Sequence, residues 1–364
     1  MLLEMDGCIC FVTDFLRVDI NTRTGLVDRY WVNGVNYVGQ NAFKPIVIAD
    51  SEDAWGISAR SFRNVEGEFK LMSPENGAKF SGVKSEAIPS IRVIEDGPVR
   101  SVVEAVFEYD DSKICMRYLL PKYGTEVELQ LTVHWQQKDS MLKLQIPVID
   151  NGCRYIGQTA YGVQELPTNG DEAVAQKWVA IVSESKALTC INDCIFGSDF
   201  SVDGLRLSLL RSPAYTGHGI GDRTILPQDR YTSRIDQGER TFRFWFNAGD
   251  PDERLNAIDR EASMHNEKPF ALSFFPSGLG DSPKQFLTLS DNVINLTATK
   301  MSEDGNDLIV RLFEPTGHER STTISLPFCG TKHEIDMSGF EIKTLSIDTG
   351  TGSMIETDLM ERPQ

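Results

Sequence analysis

The chain has 364 residues, of which 40% are hydrophobic and 24% are charged, a composition typical of a folded globular protein and too apolar for a disordered one. With 36 basic and 53 acidic residues the formal net charge is −17, and no Lys/Arg cluster could neutralise a phosphate backbone, so nucleic acid is excluded as an expected partner. No apolar run approaches the roughly 20 residues that cross a bilayer, and we expect no association with a membrane.

The seven cysteines are spread thinly along the chain and are odd in number, which favours reduced thiols over a disulfide framework. Cys8 and Cys10 are close in sequence, as are Cys190 and Cys194, but neither pair has a second Cys or His pair at the spacing of a zinc site. We therefore expect core or strand cysteines, no metal site in this chain and a cytoplasmic location.

The first part of the chain consists of short alternating or β-branched runs separated by Gly, Asn, Asp and Pro, the pattern of an antiparallel all-β protein. Residues 15–32 predict a β-hairpin that turns at Thr24 and Gly25. Within residues 127–135 the period of two is unbroken, which places the Val, Leu and Trp side chains on one face of a strand and Glu, Gln, Thr and His on the other. Further strands are predicted at residues 88–94, 99–109, 114–120 and 141–148.

One segment, residues 251–265, predicts a helix. Asp250 can cap it, Pro251 suits its first position, and Leu255, Ile258 and Ala262 form a narrow apolar stripe. We interpret this helix as a connector and predict two domains, residues 1–269 and 270–364. The second has about five predicted strands, which indicates a small β-sandwich.

Motifs that would carry catalysis are lacking: the sequence has no His-Glu-x-x-His, no phosphate-binding Gly-x4-Gly-Lys-Ser/Thr and no Gly-x-Ser-x-Gly. The five histidines lie far apart in sequence. We therefore predict no catalytic residue and no metal ligand in this chain.

Some loop residues could nevertheless contact a sugar, by aromatic stacking or through a carboxylate. The candidates for such a substrate rim are Trp55, Tyr161, Glu165, Tyr215 and His218. Core packing for the aromatic residues, and a solvated surface for Glu165 and His218, are the alternatives. Glu172 shares the loop of Glu165 and has the same alternative.

Several blocks, taken in order, resemble the C-terminal region of glycoside hydrolase family 38 α-mannosidases. The most specific pair is Val133-His134-Trp135 followed by Met141-Leu142-Lys143-Leu144-Gln145-Ile146-Pro147-Val148. The other blocks lie at residues 53–56, 95–100, 161–178, 205–213, 236–244, 310–314 and 340–345.

This resemblance implies an all-β fold, a galactose-mutarotase-like supersandwich followed by a small β-sandwich domain. It also implies that zinc, its ligands and the nucleophilic Asp belong to an N-terminal catalytic domain outside these residues, so the chain alone is expected to be inactive. The implied partners are an α-mannoside or other carbohydrate and that catalytic domain, and a homo-oligomer is left open. Leu166 departs from the family, where we expect Arg, which weakens the case for a sugar contact there.

Two other functions are carried as alternatives. A stand-alone carbohydrate-binding module would use the exposed aromatic residues, and a mutarotase-like sugar epimerase would need a His and Glu pair on the concave face of the supersandwich.

Overall fold

The structure is a computed structural model, and it describes residues 2–50, 54–56, 59–148, 152–214, 233–271, 280 and 285–363. It divides into two compact units. The first comprises Met1–Gly157 and Glu165–Arg254, and the second comprises Gln158–Gln164 and Leu255–Gln364.

The chain opens with a five-stranded antiparallel meander in which each strand pairs with the next. Its strands are β1 (Leu2–Met5), β2 (Cys8–Val12), β3 (Leu16–Asn21), β4 (Val27–Val32) and β5 (Val35–Asn36). The predicted hairpin of residues 15–32 is confirmed, since β3 pairs with β4 through Val18 and Tyr30.

Six further strands are β6 (Lys44–Ala49), β7 (Val65–Glu68), β13 (Ser140–Ile146), β16 (Ala173–Val174), β19 (Gly197–Ser201) and β20 (Gly204–Arg211). They form one sheet in the order β16-β19-β20-β13-β6-β7.

A ten-stranded sheet consists of β8 (Lys70–Leu71), β9 (Ile91–Asp96), β10 (Arg100–Tyr109), β11 (Ser112–Pro121), β12 (Val127–Trp135), β14 (Arg154–Thr159), β15 (Gly162–Glu165), β17 (Trp178–Val182), β18 (Ala187–Asn192) and β21 (Gly238–Gly249). Its order is β15-β14-β17-β18-β21-β12-β11-β10-β8, and β9 also pairs with β10.

One continuous hydrophobic core joins these three sheets. The alternation in β12 is the predicted one, because Val127, Leu129 and Trp135 are buried while Glu128 and His134 are only partly covered. Three sheets that share one core form a supersandwich, the fold that the resemblance in the sequence implies.

The described strands of the second unit form two sheets around a smaller core of their own. One sheet has the order β22 (Thr288–Leu289), β25 (Arg320–Leu326) and β26 (Thr331–Met337), and the other has the order β23 (Asn295–Met301), β24 (Asp307–Phe313), β27 (Ile342–Asp348) and β28 (Met354–Thr357).

Two helices occur in the described part of the chain. The predicted one is confirmed as α2 (Pro251–Asn266), whose first turn is capped by Asp250 through the backbone N–H groups of Asp252 and Glu253. The other, α1 (Pro74–Ser81), was not predicted. It buries only Gly77 and Ala78, so it lacks the apolar stripe by which a sequence reveals a helix, although Ser73 caps it.

No helix within the described ranges is both long and apolar enough to cross a membrane. The seven cysteines, all within the described ranges, form no disulfide.

Candidate functional site on the six-stranded sheet

The centre of this candidate site is Lys143, on the face of the six-stranded sheet opposite the main core. Neighbouring residues Leu142 and Leu144 point into that core, so the alternation of β13 directs Lys143 the other way. Its side chain is nevertheless completely buried. A buried ammonium group needs compensating partners, because its removal from water costs roughly several kcal/mol.

Two carboxylates provide that compensation. The Nζ atom of Lys143 lies 2.5 Å from Oδ2 of Asp199 and 2.5 Å from Oε2 of Glu172. The other oxygen of Glu172 accepts a hydrogen bond from the hydroxyl of Ser208. Lysine, aspartate and glutamate thus form one compact charged cluster with a formal charge of −1.

Asp199 is the more deeply buried of the two carboxylates in this cluster. It is buried, and its Oδ1 atom has no hydrogen-bond partner. Burial raises the pKa of the Asp199 carboxyl, and the charge and hydrogen bond of Lys143 oppose that rise without cancelling it.

Phe62 covers the cluster. The Lys143 ammonium lies 5.8 Å from the centroid of its ring, and the Arg211 guanidinium lies 4.8 Å from the same centroid. Arg211 in turn forms an ion pair of 2.7 Å with Asp50, whose side chain is completely buried. The aromatic ring therefore lies against two cations, of which Lys143 is held by two carboxylates and Arg211 by one.

The segment that carries Phe62 is tied to the loop that carries Glu172. The backbone N–H of Glu172 donates to the carbonyl of Arg60 at 2.8 Å. Next to it, Arg63 forms an ion pair of 2.9 Å with Asp171. Two loops that are more than a hundred residues apart in sequence are thus fixed together over the sheet.

Among the predicted rim residues, Trp55 lies beside this site. It is 71% exposed. The next residue, Gly56, has a positive φ of 65°, and a Cβ atom there would lie 2.9 Å from a guanidinium nitrogen of Arg211. The largely exposed Trp55 thus immediately precedes a glycine that packs against Arg211.

Glu165 and Tyr161 have other surroundings. Glu165 forms an exposed ion pair of 2.7 Å with Arg154. Tyr161, a member of the second unit, packs edge-on against Phe313 with 5.2 Å between ring centroids and remains half-exposed. Leu166, where we expected the family's Arg, is buried in the main core. Tyr215 and His218 lie outside the described residues.

Lys143, Asp199, Phe62 and Arg211 were not singled out from the sequence. Lys143 stands in an alternating strand, where a lysine normally indicates a solvated face. Only Glu172 gave a signal, as an acidic residue on a loop rich in Gly, Pro and Asn. The cluster is a set of fixed charges, and within the described ranges no three or more His, Cys, Asp or Glu side chains are grouped so that they could hold a metal ion.

Comparison with known proteins identifies the family to which the chain belongs. The model of the "Glycosyl hydrolases family 38 C-terminal domain" matches residues 12–230. The model of the "Glycosyl hydrolases family 38 C-terminal beta sandwich domain" matches residues 293–364.

Individual relatives agree with these matches. Alpha-mannosidase G of Dictyostelium discoideum is 22% identical over 271 residues, which cover 69% of this chain and 23% of that protein. The α-mannosidase of Saccharomyces cerevisiae is 24% identical over 261 residues, with coverage of 66% and 23%. The chain thus spans about a quarter of the length of these curated relatives.

A solved structure shows the same fold. The α-mannosidase from Enterococcus faecalis V583 superposes with a TM-score of 0.73 at 17% identity, over 95% of this chain and 43% of that one. The predicted fold class and the resemblance seen in the sequence are both confirmed. Because the first family match covers more than half of the chain, the chain belongs to glycoside hydrolase family 38, and it carries the C-terminal domain and the C-terminal β-sandwich domain of that family.

Proposed function

We propose that this chain is the β-rich C-terminal region of an α-mannosidase, and that it supplies the scaffold and part of the sugar-facing rim to a catalytic domain. One observation carries the proposal: two C-terminal family models match in order, at residues 12–230 and 293–364. The relatives that share this region are named α-mannosidases and are about four times as long as the matched part.

The zinc ion that the family implies does not fit the residues described here. A catalytic zinc site needs three protein ligands from His, Asp, Glu or Cys at about 2 Å. The described side chains offer no group of three. We therefore assign zinc to the catalytic domain and derive no step through it from this chain.

The chain's own contribution is to position surface residues. Asp199 and Glu172 hold Lys143, Lys143 and Arg211 lie against Phe62, and the loops on either side are tied to each other. Such a fixed support would hold Trp55 as a platform for a sugar ring, since the faces of pyranose rings stack on exposed indoles. The substrate class in this proposal is an α-mannoside.

The test is hydrolysis of an aryl α-mannoside by the chain alone, with and without added zinc, and by the chain together with an N-terminal catalytic domain of the family. We expect no turnover by the chain alone and turnover by the combination. Turnover by the chain alone, after an independent purification rules out contamination, would contradict the proposal. So would a catalytic domain whose activity and stability are unaffected by the chain.

The rim is tested by Trp55→Ala in the combined enzyme. We expect a raised KM with little change in kcat, because a stacking platform binds the ground state and the transition state alike. Tyr123→Ala is the control, since Tyr123 is 85% exposed at the turn between β11 and β12.

A further inference from the structure

A second concave site lies on the N-terminal meander, on the face that points away from the main core. The groove has a volume of about 370 Å³, within the range of small-molecule sites, roughly 300–1,000 Å³. Strand alternation creates it: Ile9 and Phe11 of β2 point into the core, while Cys8 and Cys10 point into the groove. All residues that line the groove lie between positions 3 and 40 of the sequence, so none of them belongs to the Lys143 cluster.

Its floor is polar and held rigidly. Asp19 of β3 is buried, and Arg17 donates to its two oxygens from Nε and Nη2, each at 2.9 Å. Arg29 approaches the same carboxylate at 3.4 Å through Nη1. The guanidinium of Arg17 also lies 5.8 Å from the ring centroid of Trp31. These contacts fix the direction of the donors before any ligand arrives.

The acceptors are fixed as well. Asp28 accepts from the side-chain amide of Asn21 at 2.9 Å and from the backbone N–H of Asn41 at 3.2 Å. A carboxylate has about four acceptor positions, so it retains capacity for a ligand hydroxyl. Gln40 adds an amide to the same wall, which can both donate and accept.

The charge of the groove limits the ligand. Three carboxylates, Asp6, Asp19 and Asp28, face two guanidinium groups, Arg17 and Arg29, so the formal charge is −1. A phosphate or other anion would meet this excess of negative charge and is disfavoured. Fixed donors alternating with fixed acceptors suit a neutral molecule whose hydroxyl groups can donate and accept at once.

We propose that this groove is a second carbohydrate-binding site, which takes a neutral, hydroxyl-rich ligand of roughly one or two sugar rings. The geometry assigns it a role separate from the candidate rim at Trp55, and the proposal requires no catalytic activity of the chain.

Cys8 provides a direct readout. It is partly exposed, and it lines the groove. The rate of its alkylation by a maleimide can be followed by peptide mass spectrometry in the intact chain, with D-mannose, methyl α-D-mannoside, myo-inositol or inorganic phosphate present. Exposed Cys194 is the internal control. We expect at least one neutral polyol to slow Cys8 several-fold while Cys194 is unchanged.

Arg29→Ala and Arg23→Ala form the matched pair of variants. Arg29 is more than half exposed and lines the groove, whereas exposed Arg23 lies on the neighbouring turn outside it. We expect Arg29→Ala to weaken protection of Cys8 about tenfold, as for the loss of a charged hydrogen-bond donor, and Arg23→Ala to leave it unchanged. Protection by phosphate instead, or no protection by any polyol up to about 100 mM, would overturn the proposal. Neither result would bear on the proposed α-mannosidase assignment, which depends on turnover by the combined enzyme.

Discussion

The ammonium group of Lys143 lies 2.5 Å from a carboxylate oxygen of Asp199, and both side chains are almost completely buried. Glu172 completes the cluster at the same distance from the lysine. With one cation between two carboxylates the cluster has a formal charge of −1, and removal of Lys143 would leave −2. The energetic consequences of removing the cation and of removing one anion are therefore different.

The first prediction concerns Lys143→Met, which removes the cation and leaves two carboxylates facing each other beneath Phe62. We expect the first unit to lose about 3–5 kcal/mol of stability, as for other broken buried ion pairs. All five tryptophans, at positions 31, 55, 135, 178 and 245, belong to this unit. Urea unfolding followed by tryptophan fluorescence therefore measures the effect.

Lys44→Met is the matched control for this substitution. Lys44 lies on the same sheet and pairs with Glu68 at 3.2 Å, but both side chains reach solvent. We expect a loss below about 1 kcal/mol. Equal losses in the two variants would show that burial of the Lys143 cluster has no energetic weight.

The second prediction is that Asp199→Asn costs less than Lys143→Met, because it leaves Lys143 paired with Glu172. Its effect should also depend on pH. The folded-state pKa of Asp199 is raised above its ordinary value of 3.8, mainly by burial. The stability that this group contributes is therefore complete below that value and is lost as pH rises through the raised pKa.

The measurement for Asp199 is the difference in unfolding free energy between the natural chain and Asp199→Asn at several pH values. The stability advantage of the natural chain over the variant should decrease as the pH rises above 3.8. A difference that stays constant, or that grows with pH, would contradict the assigned direction of the pKa shift.

Much of the fold could be predicted from local pattern. The period of two in residues 127–135 corresponds to β12, and the cap at Asp250 starts α2. Each signal lies within a few residues, and it reports which face of a strand is apolar or where backbone N–H groups need a partner. Helix α1 has no such stripe and was missed.

The candidate site could not be predicted in the same way. Lys143 and Asp199 are 56 positions apart and lie on strands β13 and β19, which are not adjacent in the sheet. A lysine in an alternating strand looks like a solvated residue until Phe62, from a distant loop, covers it. Tyr161 illustrates the converse. The sequence left both sugar contact and packing as alternatives for this aromatic residue, and it packs on Phe313, about 150 residues later.

The third prediction concerns Gly204, the first residue of β20. Its φ is +98°, and a Cβ atom there would lie 2.2 Å from the carbonyl oxygen of Ile146. Backbone cannot move aside as a side chain can, so Gly204→Ala should destabilise the first unit by about 3 kcal/mol or more. Gly124→Ala is the control, because Gly124 has a φ of +83° with open space around it. We expect about 1 kcal/mol there, from backbone strain alone, and equal losses would refute the steric argument.

The last prediction concerns Glu314 in the second unit, a carboxylate whose side chain is completely buried. It accepts hydrogen bonds from the backbone N–H groups of Thr316, Gly317 and Phe340 at 2.7–3.1 Å. Arg320 adds an ion pair at 3.0 Å. One side chain therefore satisfies the backbone donors of two separate turns.

The pKa of Glu314 reflects these donors. Burial alone would raise it, but the hydroxyl of Thr316 and the backbone N–H groups together outweigh burial and lower the pKa below its ordinary value of 4.5. A lowered folded-state pKa means that the contribution to stability is complete above pH 4.5 and is lost as pH falls through the lowered value.

Glu314→Gln removes the charge while keeping the shape. The NH2 group of the glutamine side chain would then face backbone N–H groups, and two donors cannot form a hydrogen bond with each other. We expect a loss of at least about 2 kcal/mol at neutral pH, shrinking below pH 4.5 as the natural chain itself becomes protonated. The second unit contains no tryptophan, so hydrogen exchange of peptides from β24 and β27 is the suitable measurement.

Glu303→Gln is the control, because Glu303 is 85% exposed beside Lys300 and should change stability by less than about 1 kcal/mol. If the Glu314→Gln loss were the same at acidic and neutral pH, the carboxylate charge would not be what holds the two turns, and the hydrogen-bond geometry alone would have to explain the loss.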